Sequence, residues 1–411
     1  MTHPKMKFTY VGIDSHKETH TAVFLDCFFD KLGEISFGNR NGDFVEFIKK
    51  ARKFKLNGTD FLFGLEDVSK YGRSLTKFFL ANGQAVKHVN AYLVAGERKN
   101  LGYEKSDSVD AECAARILIS KFQSLPDAED DDRYHILRTL VVRRDYLVRG
   151  KTSLKSYLHS LLTIDFPDYH KFFCELNGKT ALAFFTKYPS PNLLKSTSTE
   201  ELAQFLWKHS GGLLEIDRAK EILSAVDEVP VVVDEIRNKT VQSAIRQLQY
   251  NILELEVVET DLYKVYKEFN TTLTSMTGLD LVSASKLLSC IGDVRKFATP
   301  AKLAKYAGVA PVSHSSGKRD MQFANTCGDR ELNSLFYNLA VRVTNTYEPG
   351  HKAINPFFYE YYHKKLGEGK TKRQAIKCVQ RRLVNIIWTM LMNNEDYVNP
   401  PMIGVESYTA P

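Results

Sequence analysis

Four carboxylates, each placed where a predicted element begins or ends, constrain this chain more than any other feature. Tyr10-Val11-Gly12-Ile13-Asp14 reads as a short apolar strand that delivers Asp14 into a turn beside a glycine. Phe61 to Leu65 reads as a second buried strand, and it ends on Glu66. Asp107 and Asp110 open a run that reads as helix through Ile119, and positions i and i+3 share one helix face, so both can point at one spot. Singly, such acids are ordinary: Asp caps turns, and acids in a first helical turn offset the helix dipole. Gathered at one point, buried like charges repel, and a cation between them makes the arrangement tolerable. Hard oxygen donors without a Cys/His cluster favour Mg²⁺ or Mn²⁺.

A chain of 411 residues exceeds what one core usually supports, so two or three domains are expected. With 43% hydrophobic and 26% charged residues it reads as globular rather than disordered. The net charge of +7 suits a nucleic-acid partner without requiring one. Cys27, Cys113, Cys174, Cys290, Cys327 and Cys378 are scattered with no CxxC pair, which argues against a disulfide framework or a zinc site. No apolar run reaches membrane-spanning length and the N-terminus does not read as a signal peptide, so a cytoplasmic setting is expected.

Strands at Phe8 to Ile13, Thr21 to Leu25, Phe61 to Leu65 and Ala85 to Val89 alternate with helices near Phe44 to Lys53, Ser74 to Ala81 and Val109 to Lys121. That alternation predicts an α/β domain over 1–125. Pro126 and the acidic run Asp127 to Asp132 mark a linker, read as a solvated lead-in to a helix. Residues 126–270 read as helical, with an insertion near 166–233 broken by Pro167, Pro189, Pro191 and Pro230. On the helix from Arg133 to Leu162, Arg138, Arg143, Arg144, Arg149, Lys151 and Lys155 make a basic face that either tracks phosphates or simply solvates the helix. From Val241 through Ile245, Leu248, Ile252 and Leu255 to Leu262, apolar residues keep heptad spacing, which predicts a coiled coil or a long antiparallel helix pair. Either a dimerisation arm or packing against the Arg133 helix would use that stripe.

The C-terminal part, 271–411, opens with Met276-Thr277-Gly278-Leu279-Asp280, a turn before a helix to Ile291. Further on, Phe297 to Pro311 is followed by Ser313-His314-Ser315-Ser316-Gly317-Lys318-Arg319, a basic turn in which a serine beside glycine is either a nucleophile or a plain loop residue. A helix from Lys372 through Trp388 carries a second basic side.

Three elements carry a family resemblance: Gly12-Ile13-Asp14 with Lys17, Glu66 with Tyr71, and Lys105-x-Asp107-x-x-Asp110-Ala111. The C-terminal block from Phe297 to Pro311 with Ser316-Gly317 adds a fourth. In these the chain resembles the DEDD-type insertion-sequence transposases and the related Piv-type DNA invertases, some described as bridge-RNA-guided recombinases. The resemblance implies a RuvC-like, ribonuclease-H-like α/β domain followed by a largely α-helical coiled-coil region and a C-terminal transposase domain. It implies that Asp14, Glu66, Asp107 and Asp110 hold Mg²⁺ or Mn²⁺ and that Ser316, five residues after Pro311, is the nucleophile. Donor and target DNA, an element-encoded guide RNA, and a homo-oligomer (a dimer, with a tetramer at synapsis) are the implied partners in a prokaryotic, nucleoid-associated setting. The chain departs from the family at Thr277 and Asp280, where Pro and Gly are usual, so Gly278 is expected to serve as a packing turn. A RuvC-like structure-specific endonuclease and a catalytically silent nucleic-acid-binding relative are the competing readings.

Overall fold

The structure is a computed structural model that describes residues 3–66, 68, 71–128, 131–227, 235–316, 319–323, 325, 328–347 and 352–399, those of 312–316 and 319–323 by backbone alone. Residues 1–135 with 271–411 form one compact unit and 136–270 another. No helix among the described residues is long and apolar enough to cross a membrane.

The N-terminal part of the first unit is a five-stranded sheet built from β1 (Phe8–Ser15), β2 (Thr19–Leu25), β3 (Lys31–Gly38), β4 (Asp60–Leu65) and β5 (Ala85–His88). The order is β3-β2-β1-β4-β5, with β1, β2 and β3 antiparallel and β1, β4 and β5 parallel. This mixed sheet is consistent with a RuvC-like α/β domain. Tyr10 to Ile13 are buried without alternation, as a central strand covered on both faces requires. Helices α1 (Asn41–Ala51) and α2 (Arg73–Ala81) cover one face with Phe44, Phe47 and Phe79 against Phe24 and Phe63. The Phe63 and Phe79 rings stack with centroids 4.0 Å apart. After α3 (Ala91–Leu101), α4 (Asp107–Lys121) covers the other face with Ala111, Ala114, Ala115 and Leu118.

Two elements escape the sequence reading for physical reasons. Strand β3 is an edge strand, half-exposed, whose Lys31, Gly33 and Glu34 carry little strand preference. Helix α3 buries only Val94, so it lacks an apolar stripe to reveal its period. The acidic lead-in reaches the helix that starts at Asp132, with Asp127 and Asp132 at least partly exposed yet paired: Asp127 with Lys87 at 2.7 Å, and Asp132 with Arg73 and Lys77.

The second unit comprises most of α5 (Asp132–Asp165), then α6 (Lys179–Lys187), α7 (Asn192–Lys195), α8 (Thr199–Ser210), α9 (Ile216–Asp227) and α10 (Glu235–Lys267). The 166–233 insertion supplies Phe166, Phe184, Phe185, Leu202 and Ile222 to a core that Leu158 and Leu162 of α5 and Val241, Ile245 and Leu248 of α10 complete. The heptad stripe is thus spent on packing within the chain. The basic face is partly consumed as well: Arg143 and Arg144 pair with Glu254 and Glu259 of α10.

The C-terminal part of the first unit adds α11 (Leu281–Ile291), α12 (Pro300–Tyr306), a hairpin of β6 (Val312–Ser316) and β7 (Arg319–Phe323), α13 (Arg330–Val343), α14 (Pro356–Gly367) and α15 (Lys372–Asn393). A capping box at Thr371 and Gln374 starts α15, whose Val379, Leu383, Val384 and Ile387 are fully buried. Gly278 has φ +97, and a Cβ there would stand 2.9 Å from Val343 Cγ1, so this turn packs on α13. Asp280 caps α11 and pairs with Arg342, so its carboxylate is committed within the turn.

Candidate metal centre

Parallel pairing places Gly12 beside Gly64 and Ile13 beside Leu65, so Asp14 and Glu66 leave adjacent strand ends on the same edge. Helix α4 is seated over that edge by a contact only glycine permits: a Cβ on Gly12 would lie 2.0 Å from the Ala111 carbonyl oxygen and 2.3 Å from the Ala115 nitrogen. Ser106 starts the helix by accepting from the Val109 N–H at 3.2 Å, which puts Asp107 and Asp110 in its first turn.

His16 joins two of the acids. Its Nε2 is 3.2 Å from Asp14 Oδ2 and 3.2 Å from Asp107 Oδ1, and one donor atom from each of the three residues fits within 4.8 Å. Two donors about 2.1 Å from one octahedral ion stand roughly 3 Å apart, so this spacing fits a shared divalent cation. Asp110 is turned instead to Arg98 of α3, with which it forms an ion pair.

The charges of the site act on one another. Burial pushes the Asp14 carboxyl above the usual carboxylate range; His16 opposes the rise, while Asp107 and Asp110 add to it. Glu66 is raised by burial and then by the charges of Asp14 and Asp110, against Lys105 and Arg98. Desolvation works against protonating His16, but the charges of Asp14 and Asp107 outweigh it and its pKa lies above the ordinary value. Asp14 and Glu66 thus each sit in the field of neighbouring carboxylates, an arrangement that a divalent ion relieves.

Sequence reasoning missed His16 and Arg98. His16 had a signal, since i and i+2 point to the same side of an extended segment and it follows Asp14 by two. Arg98 had none, because it arrives on a helix without an apolar stripe. Ser316 closes β6 in register with Arg319, so the expected turn is a hairpin with Gly317-Lys318 between the strands. Gly317, Lys318 and the Ser316 side chain lie outside the described residues.

A profile described as "Transposase" matches residues 11–167, and one described as "Transposase IS116/IS110/IS902 family" matches 270–356. The insertion element IS116 protein of Streptomyces clavuligerus is 26% identical over 96% of this chain and 97% of the relative. The IS900 protein of Mycobacterium paratuberculosis is 25% identical over 94% and 96%. A pilin gene-inverting protein of Moraxella lacunata is 22% identical over 95% and 98%. A carboxylate cluster at the end of this sheet, within a chain that transposase profiles match in both halves, defines a DNA transposase or recombinase. The chain belongs to the IS116/IS110/IS902 family of insertion-element transposases.

Proposed function

We propose that this protein cuts and rejoins donor and target DNA of its insertion sequence, using a divalent ion and a serine nucleophile. The reading rests on one observation above the others: donor atoms of Asp14, His16 and Asp107 come together within 4.8 Å on the sheet edge that also carries Glu66. Asp14, Glu66, Asp107 and Asp110 would hold Mg²⁺ or Mn²⁺, with Arg98 released from Asp110. A bound ion would polarise the scissile phosphate and offset charge on its oxygens.

Ser316 Oγ then forms a bond to phosphorus as the bond to the departing strand's oxygen breaks, and that oxygen takes the proton. The phosphoserine keeps the bond energy, so another strand's hydroxyl reverses the step and joins the new partner. Cleavage thereby avoids free hydrolysed ends. The Moraxella relative's name, a gene-inverting protein, fits such conservative exchange. An element-encoded RNA would select the target, and a homo-oligomer, a dimer passing to a tetramer at synapsis, would bring two sites together.

The test incubates the protein with supercoiled donor and target DNA, Mg²⁺, and RNA transcribed from the flanking element. Joined products with a covalent protein–DNA adduct are expected. Nicked or linear DNA without joining would make it a nuclease, and a mobility shift alone would make it a silent binder.

A further inference from the structure

Helices α5 and α10 meet through two separate apolar patches. Leu147 packs with Leu255 and Val258 at one, and Leu158 and Leu162 face Val241, Ile245 and Leu248 at the other. Between them Gly150 has no side chain to offer, and a Cβ there would lie 2.7 Å from Asn251 Nδ2. The seam opens here into a groove of about 830 Å³, lined among others by Tyr146, Arg149 and Ser153 of α5 and Arg246, Tyr250 and Asn251 of α10. That volume is in the range of sites that take a ligand of several rings.

Two features of the groove need explanation. Tyr146 is 68% exposed, with the Arg143 guanidinium 5.7 Å from its ring centre, and Tyr250 is 59% exposed, so both large rings keep much of their surface in water. Arg143, Arg144, Arg218 and Arg237 of this unit each pair with a carboxylate. Arg149 and Arg246 have no ion-pair or hydrogen-bond partner among the described residues, and both line the groove, where no carboxylate does. Exposed rings with uncommitted guanidinium groups complement bases and phosphates. A duplex keeps its base faces stacked inside, so only an unpaired strand can use the rings.

We propose that this groove binds a short unpaired stretch of DNA, its bases stacked on Tyr146 and Tyr250 and its phosphates held by Arg149 and Arg246. Strand exchange exposes such a stretch beside each cut, so the family's reaction supplies the ligand. The site lies in the helical unit and is independent of the metal centre and of Ser316.

The full-length protein is titrated into fluorescein-labelled oligo-dT, oligo-rU and a duplex of equal length, and anisotropy is read at several salt concentrations. Tyr146→Ala with Tyr250→Ala is expected to weaken oligo-dT binding about tenfold or more while duplex affinity stays put. The double Phe variant, which keeps the ring faces, should bind like the parent. Arg149→Gln with Arg246→Gln should lower the log–log salt slope for oligo-dT by about 1.4, the share of two phosphate contacts. Unchanged oligo-dT affinity in the tyrosine variant would overturn the proposal, as would an equal loss for duplex. A loss confined to oligo-rU would make the groove an RNA site, and a changed oligomeric mass would make it a self-association surface; either result also overturns it.

Discussion

Arg98 of α3 holds Asp110 of α4 in an ion pair, so a guanidinium occupies one of the carboxylates that the family resemblance assigns to the metal. Asp110 is only 7% exposed, and an acid so placed needs a cation of some kind. Arg98→Ala should therefore cost about 2 kcal/mol in metal-free buffer. Mn²⁺ should restore more melting temperature to the variant than it adds to the parent, because the ion takes the guanidinium's place. Equal stabilisation of both proteins in a thermal scan would remove Asp110 from the ligand set.

His16 gives the centre one nitrogen among oxygens. Imidazole suits Mn²⁺ better than Mg²⁺, so His16→Ala should weaken Mn²⁺ binding about tenfold and leave Mg²⁺ nearly unchanged. Isothermal titration with each ion reads this directly. A loss of the same size for both ions would mean that His16 only bridges the two carboxylates by hydrogen bonds.

Gly12→Ala is expected to destabilise the protein by about 3 kcal/mol or more, since the new methyl meets helix backbone that cannot step aside. The urea midpoint should fall accordingly. Asp107→Asn, by contrast, should fold normally and lose strand cleavage while still binding DNA. A Gly12→Ala variant with an unchanged midpoint would show that α4 is not pinned on β1.

Ser316→Ala should leave folding and metal binding intact but abolish both the covalent adduct and joined products. Ser313→Ala and Ser315→Ala should retain most activity. Cleavage by the Ser316 variant at the parent rate would make water the nucleophile.

Asp280 provides a pH-dependent check on the C-terminal turn. Burial alone would raise its pKa, but the Ser283 N–H and Arg342 prevail and hold it below the usual range. A depressed folded value stabilises the fold above the ordinary pKa near 4, and that contribution is lost as the pH falls through the folded value. Asp280→Asn should therefore be less stable than the parent at pH 7, with the gap closing in acid. A gap that persists at pH 2 would point to capping geometry rather than charge.

How much the sequence disclosed depended on how each residue earns its place. Asp14 and Glu66 end apolar strands whose burial is written in Val11, Ile13, Phe61 and Phe63, so their placement was readable. Asp107 and Asp110 were readable as the first turn of one helix, but of the two only Asp107 joins the cluster with Asp14 and His16. Their partners were another matter: Asp110 meets Arg98 through the packing of α3 on α4, a tertiary relation with no trace in local periodicity. The heptad stripe of α10 fixed a long helix but left open what it packs on, since Leu255 suits another chain as well as Leu147.

The first compact unit takes its residues from both ends of the chain, 1–135 and 271–411, with the whole helical unit between them. On a ribosome the sheet that carries Asp14 and Glu66 emerges first, and its C-terminal companions arrive only after all of 136–270 has been made. Helices α5 to α10 meanwhile hold most of their contacts within one continuous segment and need wait for nothing outside it. A nascent or truncated chain therefore carries the acids without the segment bearing Ser316, and translation itself sets the order in which the two ends of the first unit can meet.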